Sequence, residues 1–154
     1  MKHFLVTALL LTACAMLVSL VYNRFPVSFL VENRNESGIA RIEIAGRTIT
    51  VSVADMPEER ERGLGGREGL APDEGMLFVF PEDGMYSFWM KDMHFAIDIL
   101  WISYDGVIVD IRQNVSPDTY PATFTPRTEA RYVVELPAGY SEEYNLRSGD
   151  IVRL

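Results

Sequence analysis

The chain is poor in the residue types that carry much of enzyme and metal chemistry. Its 154 residues include one cysteine, Cys14, and two histidines, His3 and His94. From residue 33 onward it also contains a single lysine, Lys91. A lone cysteine excludes an internal disulfide framework and a cysteine-based zinc site, and it leaves residues 33–154 without a thiol nucleophile.

Positive charge is scarce as well. The chain has 14 Lys and Arg against 22 Asp and Glu, a formal net charge of −8. This excess of carboxylates repels phosphate backbones, so we do not expect a nucleic-acid partner. A phosphate-binding glycine loop is also missing, since Gly63, Gly65 and Gly66 follow a predicted helix rather than a strand.

One long apolar run stands at the amino terminus. Residues 4–22 carry no charge, and as a helix with a rise of 1.5 Å per residue they would be about 30 Å long, the thickness of bilayer hydrocarbon. We expect residues 1–23 to form a transmembrane anchor in the cell membrane and residues 24–38 to form a polar tether. The domain at residues 39–154 would then face the outside of the cell.

Two other fates of this run stay open. Ala13-Cys14-Ala15 fits a signal peptidase site, which would give a secreted domain. Leu11-Thr12-Ala13-Cys14 resembles a lipobox, which would give a domain anchored through a lipid on Cys14. The apolar run continues beyond both sites, which favours the uncleaved anchor.

Short β-patterned segments dominate residues 39–154. Alternating isoleucine and valine on both sides of Gly46 predict a hairpin, and Asp55-Met56-Pro57-Glu58 predicts a short helix capped by Asp55. Further strand patterns are MLFVF (76–80), MYSFWM (85–90), FAIDILWIS (95–103), VIVDIRQN (107–114), ARYVVEL (130–136) and DIVRL (150–154). We therefore expect a mainly β fold, a small antiparallel sandwich or barrel of about eight short strands with one or two short helices.

The order of several motifs resembles that of a known family. The motifs are Arg62-Gly63-Leu64, Asp73-Glu74-Gly75-Met76-Leu77-Phe78, Ser87-Phe88-Trp89-Met90-Lys91, Asp98-Ile99 and Val134-Glu135-Leu136-Pro137-Ala138-Gly139. Over residues 48–154 they are similar to the domain of unknown function 192 family. The resemblance implies a compact β-rich domain, often exported behind a hydrophobic segment, with no established activity.

The chain departs from the family pattern at two places. Gly65 replaces a methionine that usually follows Gly-Leu, and Asp92-Met93 replaces a common Asn-Thr. His94 is not a typical family residue, so a mechanism that rests on it would be peculiar to this protein.

Five polar or aromatic residues are candidates for a ligand pocket. Lys91 follows Trp89 on one face of a predicted strand, and an ammonium group beside an indole can bind a polar ligand. Asp98 and Glu135 are charges within apolar strands, and Arg62 belongs to the family-like motif. The competing interpretation is structural, because buried charges need ion pairs or hydrogen bonds to be tolerated.

Three further hypotheses compete with the pocket. Met93 and His94 offer soft ligands for Cu(I), although methionines also fill cores; otherwise no cofactor is expected. Asp98 and Glu135 could serve as acid and base in a hydrolase, although pattern alone indicates no enzymatic activity. Tyr120 and Phe124 in the proline-rich segment 115–128 could contact a protein or glycan, or that segment could close one end of the fold and bury both rings. The leading interpretation is a binding module for a small polar ligand or a protein partner.

Overall fold

The computed structural model describes residues 38–154. These residues form nine strands and two short α-helices. In chain order they are β1 (Ile39–Ile44), β2 (Arg47–Ala54), α1 (Pro57–Arg62), β3 (Glu74–Gly84), β4 (Phe88–Trp89), β5 (Ile97–Ile102), β6 (Ile108–Val115), β7 (Thr123–Phe124), β8 (Ala130–Pro137), α2 (Tyr140–Glu143) and β9 (Val152–Arg153). The expectation of a mainly β fold with short helices is confirmed.

Seven of the strands form one curled sheet. Their order is β6-β5-β8-β3-β2-β1-β9, and β4 pairs with β7 in a separate two-stranded sheet. A bridge between Val107 and Ile151 brings the two edges of the large sheet together at one end. The sheet therefore forms a half-barrel.

One pairing corrects the antiparallel expectation. β2 and β3 run parallel, with Val51 opposite Gly75 and Val53 opposite Leu77. A parallel pair needs a crossover rather than a tight turn, and α1 with the loop after it provides this connection. The sequence pattern identified the helix but not the direction of the strand that follows it.

The first hairpin follows its sequence pattern. Ala45 and Gly46 both have positive φ, 52° and 73°, the backbone that two-residue hairpin turns require. Ile42 is opposite Ile49, so the apolar residues of both strands face the same side. This prediction is confirmed.

Helix α1 begins one residue later than the sequence suggested. The Glu59 carboxylate accepts the backbone N–H groups of Asp55 and Met56 at 3.2 Å each, so Met56 rather than Asp55 is the cap residue. The helix ends at Gly63, which has a φ of 53°. Because α1 is only six residues long, Arg62 lies at its carboxyl end, next to the following turn.

A core cluster covers one face of the large sheet. Its buried members are Ala54, Leu64, Met76, Phe78, Met90, Ile97, Ile99, Trp101, Val115, Ala130 and Val133. The segment MYSFWM lies against this cluster but contributes only Phe88–Trp89 as a strand. Its carbonyl at Tyr86 accepts the Trp101 indole N–H at 2.8 Å, so a side chain takes the place of a strand partner there.

The two aromatic residues of the proline-rich segment 115–128 differ in how far they are buried. Phe124 is half-buried against the core cluster, as the closing-loop interpretation expects. Tyr120 stays 48% exposed, as the surface interpretation expects.

The apolar run at residues 4–22 and the tether lie outside the described residues. Between residues 38 and 154, no helix is long and apolar enough to cross a bilayer.

Candidate ligand-binding site

A cavity of about 270 Å³ opens beside the core cluster. Its lining combines aromatic rings with charged side chains. The lining residues are Arg60, Glu61, Arg62, Gly63, Leu64, Phe78, Phe80, Tyr86, Ser87, Phe88, Trp89, Lys91, Met93 and Glu135. Four of the five residues predicted for a pocket, Arg62, Trp89, Lys91 and Glu135, are therefore on one concavity.

A close contact between two turns brings Arg62 and Lys91 to the same wall. The Gly65 N–H donates to the Arg62 carbonyl at 3.0 Å, and the Gly66 N–H donates to the Asp92 carbonyl at 2.8 Å. A Cβ at residue 65 would lie 3.0 Å from the Arg62 carbonyl oxygen and 3.5 Å from that of Lys91. Glycine at position 65, where this chain departs from the family pattern, thus permits the approach.

Aromatic rings form the apolar walls of the cavity. Phe80 and Tyr86 stack with ring centroids 3.5 Å apart, on either side of the turn that joins them. Phe78 and Phe88 meet edge to face at 4.8 Å. These paired rings make the walls of the cavity apolar and aromatic.

Glu135 provides the only buried carboxyl group in the cavity lining. It is 4% exposed and lies opposite Met76 on β3 and Ile99 on β5, both apolar. Its Oε2 atom has no hydrogen-bond partner among the described residues. Burial raises the pKa of Glu135 to about 8, and the positive charge of Arg67 opposes this rise only in part. The carboxyl is therefore mainly protonated at neutral pH and can donate a hydrogen bond.

Two exposed cations, Arg62 and Lys91, line the cavity and make few contacts. The Lys91 ammonium lies 5.8 Å from the centroid of the Trp89 ring, and Trp89 is 46% exposed. The Arg62 side chain has no hydrogen-bond or ion-pair partner within residues 38–154. Arg60 differs, because its guanidinium donates to the Asp55 and Val79 carbonyls and lies over the Phe80 ring.

A second, more polar cavity of about 330 Å³ adjoins the first. The two share Glu61, Arg62 and Lys91. Glu58 and Asp92 add carboxylates to the second cavity, and Gly65 completes its lining. The unpaired cations therefore stand on the wall between an aromatic and a polar compartment.

Asp98, the fifth predicted residue, lies apart from both cavities. Its carboxylate is fully buried and accepts backbone N–H groups from Asn114 at 2.8 Å, Gly139 at 3.2 Å and Ser141 at 2.7 Å. These bonds satisfy the charge and join β5 to the end of β6 and to the start of α2. The structural interpretation of Asp98 fits this geometry.

The geometry also separates Asp98 from Glu135. Glu135 is paired with Ile99, and paired residues point to the same face of a sheet, whereas consecutive residues point to opposite faces. Asp98 and Glu135 therefore lie on opposite faces. They cannot flank one substrate as the acid and base of a hydrolase, which corrects that hypothesis.

The two residues predicted to bind copper point to different surroundings. Met93 is half-buried and lines the aromatic cavity, whereas His94 is exposed, with its Nδ1 atom 3.6 Å from a Glu68 carboxylate oxygen. Across residues 38–154, no three His, Cys, Asp or Glu side chains are grouped to hold a metal. Copper binding through Met93 and His94 stays a prediction.

Most of the aromatic wall was not predicted from the sequence. Phe80 and Tyr86 occur six residues apart on either side of PEDG, a spacing that places them opposite each other if the turn is tight. That spacing was the available signal. Arg67, which lies near enough to Glu135 to affect its pKa and donates to the Ser52 hydroxyl at 3.1 Å, had no sequence signal.

The solved structures that resemble this fold include the following two. A proposed transcription regulator from Sinorhizobium meliloti 1021 is 37% identical, with a TM-score of 0.69, and the match covers 77% of this chain and 96% of that one. A protein of unknown function from Novosphingobium aromaticivorans DSM 12444 is 23% identical, with a TM-score of 0.72, and the match covers 75% of this chain and 85% of that one. At that identity the second likeness shows the fold alone.

Comparisons with curated proteins and with family models give two further results. No curated protein matches the chain. The model of the family described as "Uncharacterized ACR", domain of unknown function 192, matches residues 40–154. The chain therefore belongs to the domain of unknown function 192 family.

Proposed function

We propose that this domain is a binding module for a small ligand, held in the aromatic cavity by Arg62, Trp89, Lys91 and Glu135. The observation that carries the proposal is the unpaired Oε2 atom of Glu135 within the cavity lining. A buried polar atom without a partner costs about 1–3 kcal/mol, so a ligand that hydrogen-bonds it recovers stability as it binds.

The dimensions of the cavity support the same proposal. Small-molecule sites are concave, mostly apolar and carry a few polar groups that fix orientation. Here the apolar part is the set of rings around Phe80 and Phe88, and the orienting groups are a buried acid and two exposed cations. A volume of about 270 Å³ suits a compound the size of a single ring with short substituents.

A thermal-shift screen of the full 154-residue chain tests the proposal. The compounds would be amino acids, organic acids, phosphate esters, sugars and nucleosides. A ligand at 100 times its Kd adds about 2.7 kcal/mol to the free energy of unfolding, which raises Tm by several degrees in a domain of this size.

The matched variants locate the binding. Met93→Trp enlarges a side chain of the cavity wall, and Met56→Trp makes the same change at an exposed residue outside it. We expect one chemical class to stabilise the wild type and Met56→Trp but not Met93→Trp. If no compound stabilises the wild type, or Met93→Trp responds equally, the proposal fails.

The regulator named among the similar structures offers no better candidate for this chain. A net charge of −8 opposes contact with a phosphate backbone, and the unpaired cations line a cavity and do not form a positively charged stripe along the surface.

We also propose that residues 4–22 anchor the domain to the cell membrane, with the domain facing the outside of the cell. Mass spectrometry of the membrane-extracted protein would distinguish the intact, cleaved and lipidated forms.

A further inference from the structure

We infer that the ligand is an organic anion with a flat apolar body, bound with its anionic group between Arg62 and Lys91 and its body among the aromatic rings. The inference rests on the proposed function, since it names the chemical class that the same cavity takes.

The charges of the cavity lining carry the first step. With Glu135 protonated, three cations, Arg60, Arg62 and Lys91, face one carboxylate, Glu61. The aromatic cavity is thus positively charged within a chain whose net charge is −8. Local charge of the sign opposite to that of the whole protein favours an anionic ligand by Coulomb attraction and by excluding cations.

The second step is that two of these cations, Arg62 and Lys91, have no carboxylate partner among residues 38–154. Carboxylates of Glu58, Glu61 and Asp92 line the adjoining cavity, yet none of them pairs with Arg62 or Lys91. Because both cations line the same two cavities, an anion at their shared wall would gain Coulomb attraction to each of them. Arg62 and Lys91 together offer a planar fork and a point charge, a combination suited to carboxylate or phosphate oxygens.

The third step concerns the body of the ligand. The stacked pair of Phe80 and Tyr86 and the edge-to-face pair of Phe78 and Phe88 leave flat apolar surfaces toward the cavity. Trp89 lies beside Lys91 and is 46% exposed, so its indole face can cover a ring that enters from the mouth. The protonated Glu135 can then donate a hydrogen bond to an acceptor on the inner end of the ring.

A calorimetric titration with five defined probes tests this inference on the full chain. The probes are phenyl phosphate, phenylacetate, phenylacetamide, inorganic phosphate and acetate. We expect the Kd of each aromatic anion to be about one-tenth of that of phenylacetamide or lower, because hydrogen bonds to charged groups are stronger than those between neutral groups. Inorganic phosphate and acetate, which lack the apolar body, should bind more weakly than their aromatic counterparts.

Variants with the same change in charge separate local from general electrostatics. The double variant Arg62→Gln, Lys91→Gln should lower the affinity for phenyl phosphate about ten-fold or more and leave the affinity for phenylacetamide unchanged. Arg41→Gln with Arg147→Gln removes two exposed positive charges away from the cavities and should change neither.

Several outcomes overturn the inference. One is phenylacetamide binding as tightly as phenylacetate, or inorganic phosphate binding as tightly as phenyl phosphate. Equal losses in the two double variants would show that net charge alone governs binding. Failure of all aromatic anions, while the thermal-shift screen finds another class in the same cavity, refutes the inference and leaves the proposed function standing. Failure of both experiments refutes both.

Discussion

Asp98 and Glu135 lie one position out of register on neighbouring strands, and their carboxyl groups are on opposite faces of the sheet. Asp98 accepts three backbone N–H groups, whereas one oxygen of Glu135 has no partner among the described residues. The same residue chemistry in two adjacent apolar strands therefore has opposite consequences. The fold satisfies the Asp98 carboxylate, and we propose that a ligand satisfies that of Glu135.

The first prediction is that Glu135 makes the protein less stable as pH rises. Its pKa is about 8 in the folded chain and close to the ordinary 4.5 in the unfolded chain, so between these values the folded state binds more protons. The free energy of unfolding is then highest below pH 4.5 and falls up to pH 8, at about 1.4 kcal/mol per unit from this group.

Urea denaturation of wild type and Glu135→Gln between pH 5 and pH 8.5 measures the effect. Glutamine keeps the shape without the titration, so the variant should lose most of this slope and exceed the wild type in stability by several kcal/mol near pH 8. Glu129→Gln, at an exposed position, should keep the slope of the wild type. Parallel pH profiles for wild type and Glu135→Gln would contradict the account.

The second prediction concerns the pH dependence of ligand binding. Above about pH 8 Glu135 ionises in the free protein, and a buried carboxylate in the cavity then repels an anionic ligand. The other charged groups that line the cavity or influence Glu135 are Arg60, Glu61, Arg62, Arg67 and Lys91. The pKa of Glu135 is about 8, so this is the group expected to titrate between pH 7 and pH 9.

Titration with phenyl phosphate at pH 7 and pH 9 tests this dependence. The affinity of the wild type should fall by up to about ten-fold between pH 7 and pH 9, the limit for the ionisation of one group with a pKa of about 8. Glu135→Gln should bind with little change over the same range. A wild-type affinity that is constant from pH 7 to pH 9 would contradict the placing of Glu135 in the site.

Asp98 is predicted to affect stability without affecting binding. In Asp98→Asn one acceptor oxygen becomes an amide nitrogen, which cannot accept the N–H groups of Asn114, Gly139 or Ser141. We expect a loss of about 1–3 kcal/mol in the free energy of unfolding. Asp105→Asn, at an exposed turn residue, is the matched control and should change stability little.

Ligand binding by Asp98→Asn distinguishes a purely structural role of Asp98 from a place in the ligand site. A ligand found in the thermal-shift screen should bind Asp98→Asn with the affinity of the wild type under conditions in which the variant is folded. Weaker binding with unchanged stability would restore Asp98 to the site predicted from the sequence.

The close approach of β3 and β8 beside Glu135 depends on Gly75. A Cβ at this residue would lie 2.7 Å from the Glu135 carbonyl oxygen and 3.0 Å from a Leu136 methyl carbon. Gly75→Ala should therefore force the strands apart, with a loss of about 1–3 kcal/mol in the free energy of unfolding. Gly69→Ala, where a Cβ would meet nothing within 4 Å, is the control, and similar effects in both would contradict the packing argument.

The sequence predicted the strands best where one local pattern decides the structure. The alternation around Gly46 and the buried run after Gly75 both became strands. The parallel pairing of β2 and β3 could not be read locally, because it depends on the path taken after α1. MYSFWM has a strand pattern, but packing and the hydrogen bond from Trp101 limit its strand to Phe88–Trp89.

Site residues could be predicted from the sequence only where a charged residue interrupts an apolar strand pattern. Glu135 and Asp98 both attracted notice for that reason, yet only the register of β5 with β8 separates them. Residues such as Phe80 and Tyr86 look like ordinary core, because the cavity they line is formed by segments distant in sequence. The approach of Arg62 to Lys91 likewise required the contact between two turns.

The most direct test of a ligand site in this cavity uses the two tryptophans of the chain, Trp89 and Trp101. Trp89 lines the cavity, and Trp101 is fully buried in the core cluster. The measurement is ¹⁹F NMR of the full chain labelled with 5-fluorotryptophan, with resonances assigned by Trp89→Phe, during titration with phenyl phosphate and then with phenylacetamide. We predict a saturable shift of the Trp89 resonance that is larger than any shift of Trp101, and stronger binding by phenyl phosphate. If neither compound moves the Trp89 resonance, or both resonances move together without saturation, the cavity is not the ligand site that we propose.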